Sequence, residues 1–501
     1  MSIRPVITFL FVLSVLTILL ILSAVFPSQG IHIGKFSLRF ATPHDIFSSV
    51  EEGYADISDI INTNETLNDS LISLLSTTPE EEIMDTVRAN ADSLRKSIPR
   101  LKFARNSTKK KLYKAFAAFD QASTASKPVR IMHYGDSQIE GDRITSYVRN
   151  KLQAKFGGMG PGLVPVEQVY DFSFSILQET SPGWERYTLY GTIDTTLAHK
   201  RYGALANFCR FTPYGSSGGK GTDANHEAWV SFAPSGYSYS NTKHFQQCRV
   251  FFSHNTKPFM AEIYEDGALA DADMYPASSS LKTIKWLFDQ PVSDIKIVFR
   301  GEDSPDIYGI ALDGVNGIAV DNIPMRGNSG LIFTKMDSKL LKAHFEELNV
   351  KLIILQFGGN IVPHVINDYS YYEKLFYNQL AELRQLLPDV AIIVIGVADM
   401  SVKERSRYVS YPNIEKVRDA LKKASFRADA AYWDVYEAMG GKNSMPSWVF
   451  ADPPLASSDF VHFNPRGARL IANMFYNALL YEYNQYTHQS KKNEETVAQE
   501  N

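Results

Sequence analysis

"MHYGDSQIEGD", Met132 to Asp142, follows the apolar run Val129-Arg130-Ile131-Met132 and leaves it directly on Gly135-Asp136-Ser137. A short apolar run of this kind reads as a buried strand, and the glycine that follows permits a sharp turn out of it. In an open α/β sheet the loops beyond the carboxyl ends of the strands carry side chains over a rigid support, which is where ligands gather. Ser137 is therefore a candidate nucleophile. A serine hydroxyl is weak at neutral pH, so it requires a base within hydrogen-bond reach and a third group that fixes the base's tautomer.

The stretch "SSDFVHFNPRGARLIANMF", Ser457 to Phe475, offers both. Asp459 precedes His462 by three positions, and on a tight turn that spacing lets the carboxylate reach one ring nitrogen while the other faces outward. Asn464 and Pro465 then open a helix whose apolar positions Ala468, Ile471 and Met474 hold the turn against a sheet. His462 is the candidate base and Asp459 its orienting partner. An imidazolium cannot accept the serine proton, so activity is expected to fall as His462 becomes protonated.

Acyl transfer also needs donors aimed at the developing oxyanion. The backbone N–H of Ser137 is one, a second comes from Gly327 in "MRGNSG", and the side-chain amide of Asn360 in "LQFGGN" is the third. Gly330 competes with Gly327. His133, close to Ser137 in sequence, reads as a strand residue or pocket wall. Near His462 no second histidine or cysteine pair lies at ligand spacing, so neither a metal nor a cofactor is expected.

The rest of the chain places these segments. "KLIILQFGGN" (351–360), "VAIIVIGVADMS" (390–401) and "AAYWDVYEAM" (430–439) are strand-like and alternate with helical stretches at 144–156, 338–348, 371–387 and 413–428. Strands alternating with helices of ten or more residues predict a parallel sheet covered on both faces. Between about 166 and 304 the texture changes to short β-branched and aromatic runs, "AWVSFA", "CRVFFS" and "DIKIVFR", parted by turn residues. That texture predicts a β-sandwich inserted after the first strand and helix. The only two cysteines, Cys209 and Cys248, fall inside it, and pairing and two buried thiols are both open.

At the N-terminus, Val6 to Phe26 is nearly unbroken apolar sequence, long enough to predict a transmembrane anchor rather than a cleaved signal. Basic residues on its two sides do not code an orientation. "PEEEIMDTVRANADSLRKSI" (79–98) and "KKKLYKAFAAFDQAS" (109–123) are amphipathic packing helices, and the segment beyond Gln485 is a polar tail. With 44% hydrophobic and 21% charged residues the chain of 501 is globular in composition, and a formal charge of −4 gives no field that would gather nucleic acid. The domain organisation expected is an anchor over 1–30, a helical region over 31–127, a catalytic domain over 128–165 and 306–485, and the insertion over 166–305.

Four segments in this order, Gly135-Asp136-Ser137, the glycine of "MRGNSG", Gly358-Gly359-Asn360 and Asp459-Phe460-Val461-His462, resemble the SGNH, or GDSL, hydrolase superfamily. The resemblance implies a three-layer α/β/α, flavodoxin-like parallel sheet, here with the inserted β-sandwich and the transmembrane helix. It implies Ser137, His462 and Asp459 as the catalytic set, and Ser137, Gly327 and Asn360 as the oxyanion donors. Two positions depart from the pattern: Ile361 stands where an aspartate is common, and Gln138 replaces the leucine of the GDSL spelling. The strings "VDNIPMRGNSG" and "LQFGGN" are similar to cell-envelope members acting on acetylated polysaccharides, including peptidoglycan O-acetylesterases. The implied substrate is then an acylated polysaccharide or peptidoglycan, hydrolysed outside the cytoplasm, with Trp184, Trp229 and Trp286 of the insertion as candidates for sugar stacking. An O-acetyltransferase working with a membrane-bound acyl donor, and a non-catalytic glycan-binding protein, are the alternatives.

Overall fold

A computed structural model describes residues 4–25, 31–33, 36–38, 53–77, 94, 97–194, 197–214 and 225–500. Its centre is a five-stranded sheet in the order Ile318–Pro324, Val129–Gly135, Val350–Gln356, Ala391–Ile395, Ala431–Trp433, and every neighbouring pair is parallel. Numbered along the chain, that order is 2-1-3-4-5. The first and third strands therefore lie side by side while their connections leave in opposite directions, which opens a crevice at their carboxyl ends. Ser137 follows the first of these strands and Asn360 the third.

Alternation along the strands divides the core. Ile131, Val320, Ile354, Ile393 and Trp433 face a cluster completed by the helices Asn106–Asp120, Thr145–Phe156 and Pro465–Glu500. Met132, Tyr134, Ile353, Leu355 and Val394 face the opposite cluster, with Ser338–Glu347, Ser370–Leu386 and Ile414–Arg427. All seven residues of Val129–Gly135 are buried, as a strand covered on both faces requires. The N-terminal helices Ser58–Thr66 and Asp69–Thr77 pack on the first of these clusters, where Ile72 and Leu75 are fully buried.

The expected fold class needs correction on two points. Parallel strands are a minority: antiparallel sheets of five and six strands occupy Gly162 to Asp313, and two further two-stranded antiparallel sheets lie elsewhere. The chain is thus a mixed α/β protein with mostly antiparallel sheets. The cause is local, since short strands joined by tight turns pair antiparallel, whereas parallel neighbours need long crossovers. Second, no helix of the described residues is long and apolar enough to cross a membrane, so the transmembrane helix is not supported. Arg4–Val25 is helical.

The two large antiparallel sheets share one core, with Val230, Ile297 and Ala261 from one meeting Val250, Ile310 and Trp286 from the other. Cys209 and Cys248 are both buried there as free thiols, and burial pushes the Cys209 thiol up to about 12 and the Cys248 thiol also well upward. A buried ion cluster joins this unit to the parallel sheet. Arg130, on the first parallel strand, contacts Asp321 of the adjacent strand and Asp313 of the antiparallel sheet, and Arg249 reaches Asp313 at 3.2 Å. Asp321 also accepts the Leu163 N–H at 2.7 Å.

The 79–98 helix expected from periodicity falls almost wholly outside the described residues. The final helix starts where Asn464 Oδ1 accepts the N–H groups of Arg466 and Gly467, both at 3.0 Å. It runs on to Glu500 through the segment read as a tail, whose lysines, glutamates, glutamines and alanine are strong helix formers.

Candidate active site

Val129–Gly135 ends against its neighbours, since Asp136 N–H donates to Gln356 O at 3.0 Å and Gly135 O accepts from Met325 N–H at 2.8 Å. Asp136 then caps a short 3-10 turn, Ser137–Asp142, by accepting the Gln138 N–H at 3.0 Å. This cap aims the half-buried Ser137 out of the sheet. Ser137 Oγ and His462 Nε2 are 2.7 Å apart, and His462 Nδ1 lies 2.7 Å from Asp459 Oδ2. Asp459 Oδ1 also accepts the N–H groups of Val461 and His462 at 2.9 and 3.0 Å.

The turn carrying Asp459 and His462 is fixed by several contacts. Phe460 adopts a left-handed φ of 58°, and its ring stacks on Tyr408 at 3.5 Å. Ser401 N–H donates to its carbonyl at 3.0 Å. Burial alone would raise the Asp459 carboxyl, but the hydrogen bonds from His462 and Val461 outweigh it and hold the group below its ordinary value. Asp459 thus stays ionised and keeps a proton on Nδ1, leaving Nε2 free to accept one from Ser137.

The three expected oxyanion donors lie on neighbouring loops. Asn360 Nδ2 donates one of its two hydrogens to Asn328 O at 3.0 Å, and the other meets no acceptor among the described residues. Asn328 knits the Met325–Leu331 loop by accepting the Gly330 and Leu331 N–H groups at 2.7 and 3.1 Å. The two glycines separate clearly. Gly330 has φ +80, and a Cβ there would press within 2.8 Å of Phe376 and 2.9 Å of Phe357, so it is a packing position. Gly327, φ +76, is exposed with nothing within 4 Å of a Cβ position. Among the described residues, the N–H groups of Ser137 and Gly327 meet no acceptor.

Two side chains absent from the sequence-based set also reach this site. Gln138 Nε2 donates to Val461 O at 2.7 Å. Arg143 donates to Ser137 O at 2.6 Å and to Phe463 O at 3.3 Å. Gln138 had a signal in the sequence, as a departure from the GDSL spelling, whereas Arg143 had only its nearness to the motif. His133 is a buried wall residue between Thr145 Oγ1, 2.9 Å from Nδ1, and Gln356 Oε1, 3.2 Å from Nε2; burial lowers its pKa to about 3. Of the tryptophans, Trp184 and Trp286 are buried in the sandwich core and unavailable to a sugar, while Trp229 is half-buried with the Lys296 ammonium 4.3 Å from its ring centroid. Among the described residues no group of three or more His, Cys, Asp or Glu could hold a metal ion.

Asp136 gives this site a measurable pH signature. It is 3% exposed, and burial pushes its carboxyl up to about 6 against the opposing pull of the Gln138 and Gly359 N–H groups, His462 and Arg143. The folded state therefore binds a proton that the unfolded state, near 3.8, has already lost, so stability falls as pH rises between those values. Relative to Asp136→Asn, wild-type stability is expected to decline by about 2 kcal/mol from pH 4 to 6.5 and to stay level above that. Thermal melts of both proteins across the range check it. Parallel pH curves would remove Asp136 as the titrating group.

No protein-family model matches the chain. No curated protein sequence matches it either. Solved structures do. A peptidoglycan O-acetylesterase aligns over 76% of this chain and 97% of its own, with TM-score 0.58 and 18% identity. A family two carbohydrate esterase from Clostridium thermocellum aligns over 50% of this chain and 91% of its own, with TM-score 0.23 and 9% identity. A GDSL-like lipase from Parabacteroides merdae aligns over 32% and 73%, with TM-score 0.24 and 18% identity. The last two scores are too low to carry weight. The first shows that the chain shares the fold of that solved structure.

Proposed function

We propose that the protein is a serine esterase that removes acyl groups, acetyl foremost, from a cell-envelope polysaccharide through an acyl-serine intermediate. The observation that carries this reading is the unbroken relay Ser137 Oγ to His462 Nε2 and His462 Nδ1 to Asp459, each link 2.7 Å. Ser137 Oγ attacks the ester carbonyl while its proton passes to Nε2, and Asp459 stabilises the imidazolium that forms. Negative charge on the carbonyl oxygen is met by the N–H groups of Ser137 and Gly327 and by the second hydrogen of Asn360 Nδ2. Collapse expels the sugar alkoxide, which takes the proton from Nε2. Water then attacks the acyl-serine by the same route in reverse and releases the carboxylic acid.

The choice of polymer is supported by the likeness in fold to a peptidoglycan O-acetylesterase and by the strings around Gly327 and Asn360. We place the reaction outside the cytoplasm because such polymers lie there. Acetate release measured across O-acetylated peptidoglycan and acetylated capsular polysaccharides tests the reading. The peptidoglycan sample is expected to release acetate fastest. Release from none of them, or equal release by protein lacking the Ser137 hydroxyl, would discard it.

A further inference from the structure

The base and the nucleophile sit 325 residues apart along the chain, on loops that share no backbone pairing, yet their reactive atoms lie at 2.7 Å. Something must set that distance. The base loop's contacts with the body of the protein include Ser401 N–H to Phe460 O, the stacking of Phe460 on Tyr408 and the packing of the buried Phe463 on Trp448, none of which involves Ser137. Two side chains cross directly from the nucleophile turn. Gln138 Nε2 holds the carbonyl of Val461, the residue before His462, at 2.7 Å. Arg143 holds the carbonyl of Phe463, the residue after it, at 3.3 Å, and the same guanidinium holds Ser137's own carbonyl at 2.6 Å. The residues on both sides of the base are thus tied to the turn that bears the nucleophile.

The immediate surroundings of these two groups suit the task. Gln138 is buried, and its Oε1 has no partner among the described residues, so the amide is held for what its N–H end does. Among the described residues Arg143 is the one side chain that bonds backbone carbonyls of both loops, because a planar fork of donors reaches two acceptors in a fixed relation where a lysine ammonium supplies only a point charge. Its Nε–H is spent on Glu140 O at 3.0 Å, which pins the fork to the turn.

We propose that Gln138 and Arg143 are positioning residues that hold His462 Nε2 on Ser137 Oγ by clamping the carbonyls flanking His462. The proposal rests on the esterase reading of Ser137 and His462. An angstrom of misplacement in such a pair costs up to about 100-fold in rate, without weakening substrate binding. The clamp also accounts for the departure from the GDSL spelling: where that spelling has leucine, this chain has a side chain that can donate across the gap.

The test is the rate at which a fluorophosphonate, an alkyl phosphonofluoridate probe, labels Ser137 in the full chain. Labelling forms the serine Oγ–P bond, expels fluoride and passes the serine proton to His462, so it reads the Oγ–Nε2 geometry without depending on the natural glycan. Wild type, His462→Ala, Gln138→Leu, Gln138→Asn, Arg143→Lys and Arg143→Gln are compared, with melting temperatures and with kcat and KM for a small acetyl ester. Gln138→Leu is expected to slow labelling and lower kcat by about tenfold, and Arg143→Lys by about thirtyfold, with KM within twofold and melting within about 2 °C of wild type. Gln138→Asn, one methylene shorter but still a donor, is expected to recover part of the loss.

Wild-type rates in Gln138→Leu and Arg143→Lys, beside slow labelling of His462→Ala, would overturn the clamp and leave the esterase reading intact. Equal labelling of wild type and His462→Ala, or none of either, would overturn both. If the Arg143 variants fail to fold, the Gln138 pair decides. Losses confined to KM, or matched by a fall in melting temperature, would count against a positioning role.

Discussion

Ser137→Ala is expected to abolish acetate release, by a factor of about 10³ or more, while leaving the melting temperature within about 2 °C of wild type. The size follows from the chemistry: without Oγ no acyl-serine forms, and only binding and oxyanion stabilisation remain. The small stability effect follows from the environment. Ser137 is half-buried at the mouth of the crevice, and apart from His462 its hydroxyl carries none of the bonds that shape the turn. Those belong to Asp136 and Arg143. Acetate assay and calorimetry on the purified variant check both halves. Residual release within tenfold of wild type would take Ser137 out of the mechanism, and a collapse in melting temperature would make the lost activity uninformative.

Arg130→Met is expected to destabilise the protein by about 3–5 kcal/mol, with no special effect on the chemistry of whatever fraction remains folded. Arg130, Asp313 and Asp321 are all 0% exposed, and the guanidinium contacts both carboxylates. Taking it away leaves two buried like charges facing each other, held among the described residues by Arg249 at 3.2 Å from Asp313 and by the Leu163 N–H at 2.7 Å from Asp321. Asp321 then gains a further push upward in pKa beyond that of its burial. Urea denaturation followed by tryptophan fluorescence measures the loss. The triple variant Arg130→Met, Asp313→Leu, Asp321→Leu should recover part of it, because replacing a whole buried ion cluster with packed apolar groups is often neutral or stabilising. A loss under 1 kcal/mol for the single variant would mean that water reaches the cluster and screens it.

The candidate site was legible to an unusual degree because its chemistry is carried by short segments. A serine leaving a buried strand, an aspartate three residues before a histidine, and a glycine and an asparagine at strand ends each leave a local mark. The structure brings Ser137, His462 and Asp459 into one relay, and Gly327, Asn360 and Ser137 onto adjoining loops. It also separates Gly327 from Gly330, which spacing alone left in competition, because only the neighbouring rings Phe357 and Phe376 reveal that Gly330 is a packing position. The roles of Gln138 and Arg143 are not legible in the sequence, since their partners are backbone carbonyls, which every residue has and no sequence pattern displays.

What the sequence determined by itself is the local order: the strands and helices around the parallel sheet, the turn at Gly135 and the helix start at Asn464, and the residue types that an acyl-transfer centre needs. These rest on periodicity, capping and turns, all of which act over a few residues. Tertiary structure alone decided the free state of Cys209 and Cys248, the burial of Trp184 and Trp286, and the ion cluster that couples Arg130 to residues nearly two hundred positions away. Each of those depends on which surfaces meet when distant segments pack, and that is a property of the whole chain's shape, with no counterpart in any short stretch of it.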